Sequence, residues 1–206
     1  AQYHITMYPV LGISPIANID SKLVDIALGH LETIIRNNEI IGIGEIGMGN
    51  GSKEEYRLMR RQLKLAGKYN LTVILQSPKK EKTAYISIML KELKKAKVNR
   101  AIFVGCDVES LQLILRAHNS NIKAAITVGK TSVRPKEAVR IYRNYSYDDR
   151  IILNSGLGRN ETSLFGLIQA IEEFEVHFDD LLIRKITFQN YVDVFPSISQ
   201  EIRTPF

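Results

Sequence analysis

Short, near-continuous aliphatic runs alternate along this chain with longer stretches in which apolar residues recur every three or four positions. The runs at residues 8–14, 40–46, 71–76, 101–105, 124–128 and 151–154 predict strands covered on both faces. Between them the period is helical. A helix starting near Asp20 places Leu23, Ile26, Ala27, Leu31 and Ile34 on one stripe. A second follows Ser52-Lys53-Glu54-Glu55, which has capping-box spacing, and presents Tyr56, Met59, Leu63 and Ala66 to a core. Further helices are expected over residues 81–95, 108–117, 136–145, 162–176 and 180–191. A repeated β/α order with right-handed crossovers gives either an open doubly wound sheet or a barrel. In both, ligands meet the carboxyl ends of the strands.

One position breaks the apolar pattern. Glu45 lies inside Ile40-Ile41-Gly42-Ile43-Gly44-Glu45-Ile46-Gly47, where burial alone would select an aliphatic residue. A buried carboxylate needs a cation, hydrogen bonds or a metal. Glu45 is therefore either one half of an ion pair at a strand end or a residue that carries chemistry. Gly42, Gly44 and Gly47 weaken the strand, as glycines do where a backbone or ligand approaches closely or where the strand end turns.

At 206 residues and 45% hydrophobic, the chain predicts a single domain, residues 1–206, with a sizeable core. No apolar run approaches the ~20 residues of a membrane span, and no secretory signal is visible. A cytoplasmic protein without a membrane partner is expected. The single cysteine, Cys106, forms no internal disulfide and suits a reducing compartment. The net charge of +6 permits a nucleic acid or another anionic partner. Much of the excess lies in Lys79, Lys80, Lys82 and in Lys91, Lys94, Lys95, Lys97, around a helix whose charged face is otherwise simply solvated. The Ile- and Lys-rich, Trp-free composition would suit a thermophile.

The strand ends read Gly12-Ile13-Ser14-Pro15, Gly44-Glu45-Ile46-Gly47, Leu75-Gln76-Ser77-Pro78, Val104-Gly105-Cys106-Asp107 and Leu153-Asn154-Ser155-Gly156. Here the chain resembles the TatD-related branch of the metal-dependent, amidohydrolase-type TIM barrels, archaeal members above all. Gly12-Ile13-Ser14-Pro15 is similar to the family's G-x-H-P. Residues 41–48 resemble its G-E-I-G-L segment, and residues 60–78 its Q-L-x-L-A…L-P-V-x-x-H-x segment. Residues 149–155 look like its final strand, and Phe188-Gln189-Asn190-Tyr191 like its closing Asn-containing helix. The resemblance implies a (β/α)8 barrel holding one or two divalent ions, Zn, Mn or Mg, and hydrolysing phosphodiester or related bonds, often as a deoxyribonuclease. Imidazoles and carboxylates hold such ions and lower the pKa of bound water. Glu45 matches the family's metal-binding glutamate.

The other ligand positions depart from that pattern. Gln76 stands at a family His and is a weak oxygen donor. Cys106 falls near the next His, where it is either a thiolate ligand or a small hydrophobe. Ser14 replaces the His of G-x-H-P. Where the family places an Asp, this chain reads Gly156-Leu157-Gly158-Arg159, with no carboxylate before Glu161. The family's first-strand H-x-H pair and the following βα unit have no match; position 6, two after His4, is Thr. The expectation is a partial barrel of about six βα units, N-terminally incomplete relative to the family, with an open edge for another segment, a second copy or a partner chain.

His30, His118 and His177 fall in or beside predicted helices and are expected in surface or capping roles. Ser155 lacks the G-x-S-x-G elbow of a nucleophile. Asn154, Ser155 and Arg159, around residues 156–160, could instead receive a phosphate through backbone N–H groups and the guanidinium, or form an ordinary turn. Two functions compete for the family resemblance: a degenerate barrel that binds or assembles without hydrolysis, and a divalent-metal hydrolase using Glu45 alongside Cys106, Gln76 or ligands from a further N-terminal segment. Phosphate binding without chemistry is a third.

Overall fold

A computed structural model of the chain describes residues 7–15, 20–78, 80–117, 119–129, 132–145, 149–156 and 165–198. The elements alternate as β1 (Val10–Leu11), α1 (Ser21–Arg36), β2 (Gly42–Gly47), α2 (Lys53–Lys68), β3 (Thr72–Gln76), α3 (Lys82–Lys95), β4 (Ala101–Val104), α4 (Val108–Arg116), β5 (Ile122–Thr127), α5 (Pro135–Asn144) and β6 (Ile151–Asn154). Then come α6 (Gly166–Glu175), α7 (Asp180–Arg184), a π-helical turn (Lys185–Gln189) and α8 (Asn190–Val192). The six strands are parallel and hydrogen-bonded in sequence order. A doubly wound sheet reverses its order once; this one never does. Right-handed crossovers that always step the same way put every connecting helix on one face, the arrangement of a TIM-type barrel wall.

Each strand's alternation sorts its side chains accordingly. Ile43, Ile46, Val73, Leu75, Ala101, Phe103, Ala124, Ile126, Ile151 and Leu153 belong to the large core shared with the helices. Ile74, Ile102, Ala125 and Ile152 face the concave side, where Val192, Val194, Phe195 and Ile198 of the C-terminal segment pack on them. Thr72, at the start of β3, donates its hydroxyl to the Val194 carbonyl. The C-terminal segment therefore covers the end of the concave face from which the strands begin, leaving the end where they finish as the mouth.

Several expected bounds shift. Of the run at 8–14, only Val10–Leu11 forms a ladder among the described residues, at an edge of the sheet. The expected 180–191 helix is broken by the π-helical turn. In α1 the buried stripe is Leu28, Leu31 and Ile35; Leu23 and Ile26 of the expected stripe are 54% and 57% exposed. The apolar arc of α1 is wider than its contact with the sheet and α2, so only one flank is covered.

Two ion-pair networks tie α2 to its neighbours. Glu32 on α1 accepts from Lys68 Nζ at 2.7 Å and from the Tyr69 hydroxyl at 2.7 Å, beside Arg36. The Lys68 and Tyr69 hydrogen bonds lower its pKa to about 2. Glu92 on α3 is buried and accepts from Tyr56 Oη (3.0 Å) and Lys95 Nζ (2.6 Å), with Arg60 Nε at 2.9 Å. Burial raises its pKa, but the Lys95 and Tyr56 hydrogen bonds and the nearby cations outweigh that and leave it below the usual range. Because the folded pKa is depressed, each glutamate stabilises the fold above its unfolded pKa and loses that contribution as pH falls through the folded one. Acid unfolding is expected to steepen below the ordinary glutamate range, and Glu32→Gln to flatten the stability profile between about pH 4.5 and 2. Denaturant midpoints measured across that window check it.

Candidate functional site

The mouth is assembled by glycines and by one irregularity in β2. Ile43 pairs with Val73 and Ile46 with Leu75, so three steps on β2 oppose two on β3. That β-bulge lets Ile43 and Ile46 share the helix side although they are three residues apart, and alternation then turns Glu45 to the concave face. The Gly44–Glu45 peptide in the bulge is cis. A Cβ on Gly44 would lie 2.7 Å from Ile74 Cβ and 2.9 Å from Ile74 O. Of the alternatives open for this glycine, the neighbouring strand, not a ligand, is what comes close. Glu45 itself is half-buried.

Gln76 ends β3 on the same face, opposite Gly47 on β2 and Val104 on β4. It is 5% exposed, and its Oε1 has no hydrogen-bond partner among the described residues. Further round the wall, Gly105 N donates to Thr127 Oγ1 at 3.0 Å, and Thr127 Oγ1 donates to Asn154 Oδ1 at 2.7 Å. The mouth thus brings together Glu45, Gln76, Thr127 and Asn154. Ser14 and Ser155 are half-buried at their strand ends. Arg159, His4 and His118 lie outside the described residues; His30 and His177 are exposed, as expected of helix-surface residues.

Cys106 belongs to the opposite side. Its side chain is buried in the helix-side core, with Sγ 3.7 Å from Ser77 Oγ and 3.3 Å from the Phe103 carbonyl. Burial pushes its thiol pKa up to about 12, against weaker opposing effects of Ser77 and Lys82. It packs as a small hydrophobe. Lys82 bonds Gly105 O at 3.1 Å and Asp107 Oδ2 at 3.0 Å, fixing the loop after β4. Burial works against the Asp107 charge, but Ser110 and Lys82 hold its pKa below the usual range, and Asp107 caps α4.

Two residues at the site had no role in the sequence reading. Thr127 links β4 to β6, and nothing in its local sequence separates it from any other strand threonine. Gln62 had a visible signal, a polar residue on the core stripe of α2 between Met59 and Leu63. Its Oε1 accepts from Ile13 N at 2.7 Å and its Nε2 donates to Ile13 O at 3.0 Å, clamping the chain where it leaves β1 at the mouth.

These residues do not fit the divalent ion that the family resemblance implies. Among the described residues no three His, Cys, Asp or Glu side chains are grouped to hold a metal ion. Beside Glu45 stands a neutral amide whose oxygen is buried and unbonded, where a zinc-type site needs an imidazole, thiolate or carboxylate.

Comparison with known proteins agrees with the wall described above. A TatD-like protein from Archaeoglobus fulgidus superposes with a TM-score of 0.70 at 21% identity, over 92% of this chain and 72% of that one. A TatD homolog from Escherichia coli K12 gives 0.67 at 18% identity, over 91% and 76%. The beta-aspartyl dipeptidase of Fervidobacterium islandicum gives 0.57 at 14% identity, over 79% and 51%. The class is a TIM-type (β/α) barrel of the TatD kind. In sequence the chain is 27% identical over 146 residues to an uncharacterized metal-dependent hydrolase of Methanocaldococcus jannaschii. That match covers 69% of this chain, which spans only 56% of the curated relative. No protein-family model matches the chain. In fold the chain is similar to these TatD-like proteins, and in sequence to the Methanocaldococcus jannaschii protein. No helix among the described residues is long and apolar enough to cross a membrane.

Proposed function

We propose that this chain is a degenerate TatD-related barrel, a pseudoenzyme whose mouth binds a small polar ligand and hydrolyses nothing. Gln76 carries the reading. A buried acceptor without a partner is destabilising, and such a group persists where a ligand supplies the missing bond. With the Glu45 carboxylate on the neighbouring strand, the matching ligand offers N–H or O–H donors, as an amine, amide or polyol does. Asn154 and Thr127 stiffen the wall opposite through their mutual hydrogen bond. Cys106 as a free thiol suits the cytoplasm.

A second reading rests on the relative described as a metal-dependent hydrolase, of which this chain spans 56%. In that case Glu45 would work with donors outside this chain. Hydrolysis of bis(p-nitrophenyl) phosphate and of single-stranded DNA, assayed with added Mn, Mg or Zn, separates the two. The expected result is no turnover above buffer and no difference between the wild type and Glu45→Ala. Turnover that needs the metal and disappears in Glu45→Ala would establish the hydrolase instead.

A further inference from the structure

The chain's positive charge is concentrated in one stretch. Residues 53–97 hold thirteen Lys and Arg against four Glu, a net +9, while all the other residues together carry −3. The fold lays most of this stretch out as two adjacent helices, α2 and α3, on the outside of the wall. Arg57, Arg60, Lys64, Lys91, Lys94 and Lys95 are all exposed there. Glu92, between the helices, is buried beneath them and bound to Arg60 and Lys95. Its charge is spent on holding two of the cations in place, with Arg60 also over the Tyr56 ring at 5.5 Å. Arg57, Lys64, Lys91 and Lys94 are in no ion pair among the described residues.

We infer that the α2–α3 face is a docking surface for the phosphate backbone of a nucleic-acid duplex, separate from the mouth. Both helices run back against the strands, so Lys64, Lys94 and Lys95 lie at the end remote from Glu45 and Gln76. A 16-residue helix is about 24 Å long, a length over which a duplex presents roughly fourteen phosphate charges. None of the exposed large hydrophobic side chains falls on α2 or α3, and Tyr56, Tyr69 and Tyr85 are half-buried. A membrane surface would call for apolar residues to insert, and single strands for aromatic rings to stack on. A face whose exposed charges are mostly cations, with Glu54 and Glu81 at the helix starts, fits backbone contact without sequence readout.

Fluorescence anisotropy of a labelled duplex of about 20 base pairs tests this on the whole chain. Log affinity against log salt is expected to fall with a slope of about −3 to −5, as for four or five phosphates neutralised. The variant Arg57→Gln/Lys64→Gln/Lys91→Gln/Lys94→Gln should lose most of that slope and at least thirtyfold in affinity at low salt. Lys22→Gln/Arg116→Gln/Lys136→Gln/Arg143→Gln, an equal change of charge at exposed positions elsewhere, should bind nearly as the wild type does. Lys64→Arg/Lys91→Arg/Lys94→Arg keeps the charge and should keep binding, which separates a lost surface from a lost fold. The inference is overturned by no binding at low salt, by equal losses in both Gln variants, or by tighter binding to a poly-glutamate peptide than to the duplex.

Discussion

Replacing Gln62 by Leu is expected to lower stability by about 2–3 kcal/mol, whereas the same replacement at Gln76 should leave it unchanged or raise it by up to about 1 kcal/mol. The two side chains are alike and both buried. They differ in their bonds. Gln62 exchanges two hydrogen bonds with the Ile13 backbone across 49 residues of sequence, and Leu would leave that N–H and carbonyl without their partners. Gln76 has an oxygen that is already unbonded, so an apolar side chain of similar volume relieves a desolvation penalty. Urea unfolding reads both as shifts in midpoint at constant slope. If Gln76→Leu destabilised the protein as much as Gln62→Leu, the amide would be part of the scaffold and not an acceptor kept for a ligand.

The second large effect belongs to Gly44. Gly44→Ala is expected to destabilise by about 3 kcal/mol, because the new Cβ meets both the side chain and the carbonyl oxygen of Ile74, and a backbone atom in a paired strand cannot step aside. Gly29→Ala provides the opposite sign. Gly29 lies in α1 with nothing within 4 Å of an added Cβ, so alanine should stabilise by about 0.5–1 kcal/mol. The contrast separates a glycine required by close strand approach from one that is merely tolerated. Equal effects at the two positions would remove the packing argument for the bulge that turns Glu45 to the mouth.

Much of the fold was legible in the sequence because parallel strands buried on both faces write themselves as aliphatic runs, and the Ser52–Glu55 capping box starts α2 where its spacing says. The errors have physical causes. Lys123 hid the beginning of β5, since a lysine there reads as a boundary, yet its stem is buried and its ammonium donates to Asp149 O at 2.8 Å. The stripe of α1 was right at Leu31 and Ile34 but took in the exposed Leu23 and Ile26 in place of Leu28 and Ile35, because apolar residues cover more of the helix than its neighbours do. At the site, Glu45 stood out as a carboxylate in an apolar run, whereas Gln76 drew notice only through the family's His position. Cys106 next to them in the strand-end pattern could not be assigned a face from sequence, because an extra residue or a turn after the strand changes which way a side chain points. The Thr127–Asn154 bond depends on register between β5 and β6, which no local pattern states.

The account rests on a mouth that offers hydrogen bonds in place of a metal cluster. Elemental analysis of the purified protein, before and after dialysis against Zn and Mn and in parallel with Glu45→Ala, tests it most directly. The account predicts well under one bound ion per chain, with no difference between the wild type and the variant. One or more tightly held divalent ions per chain, lost with Glu45, would contradict it.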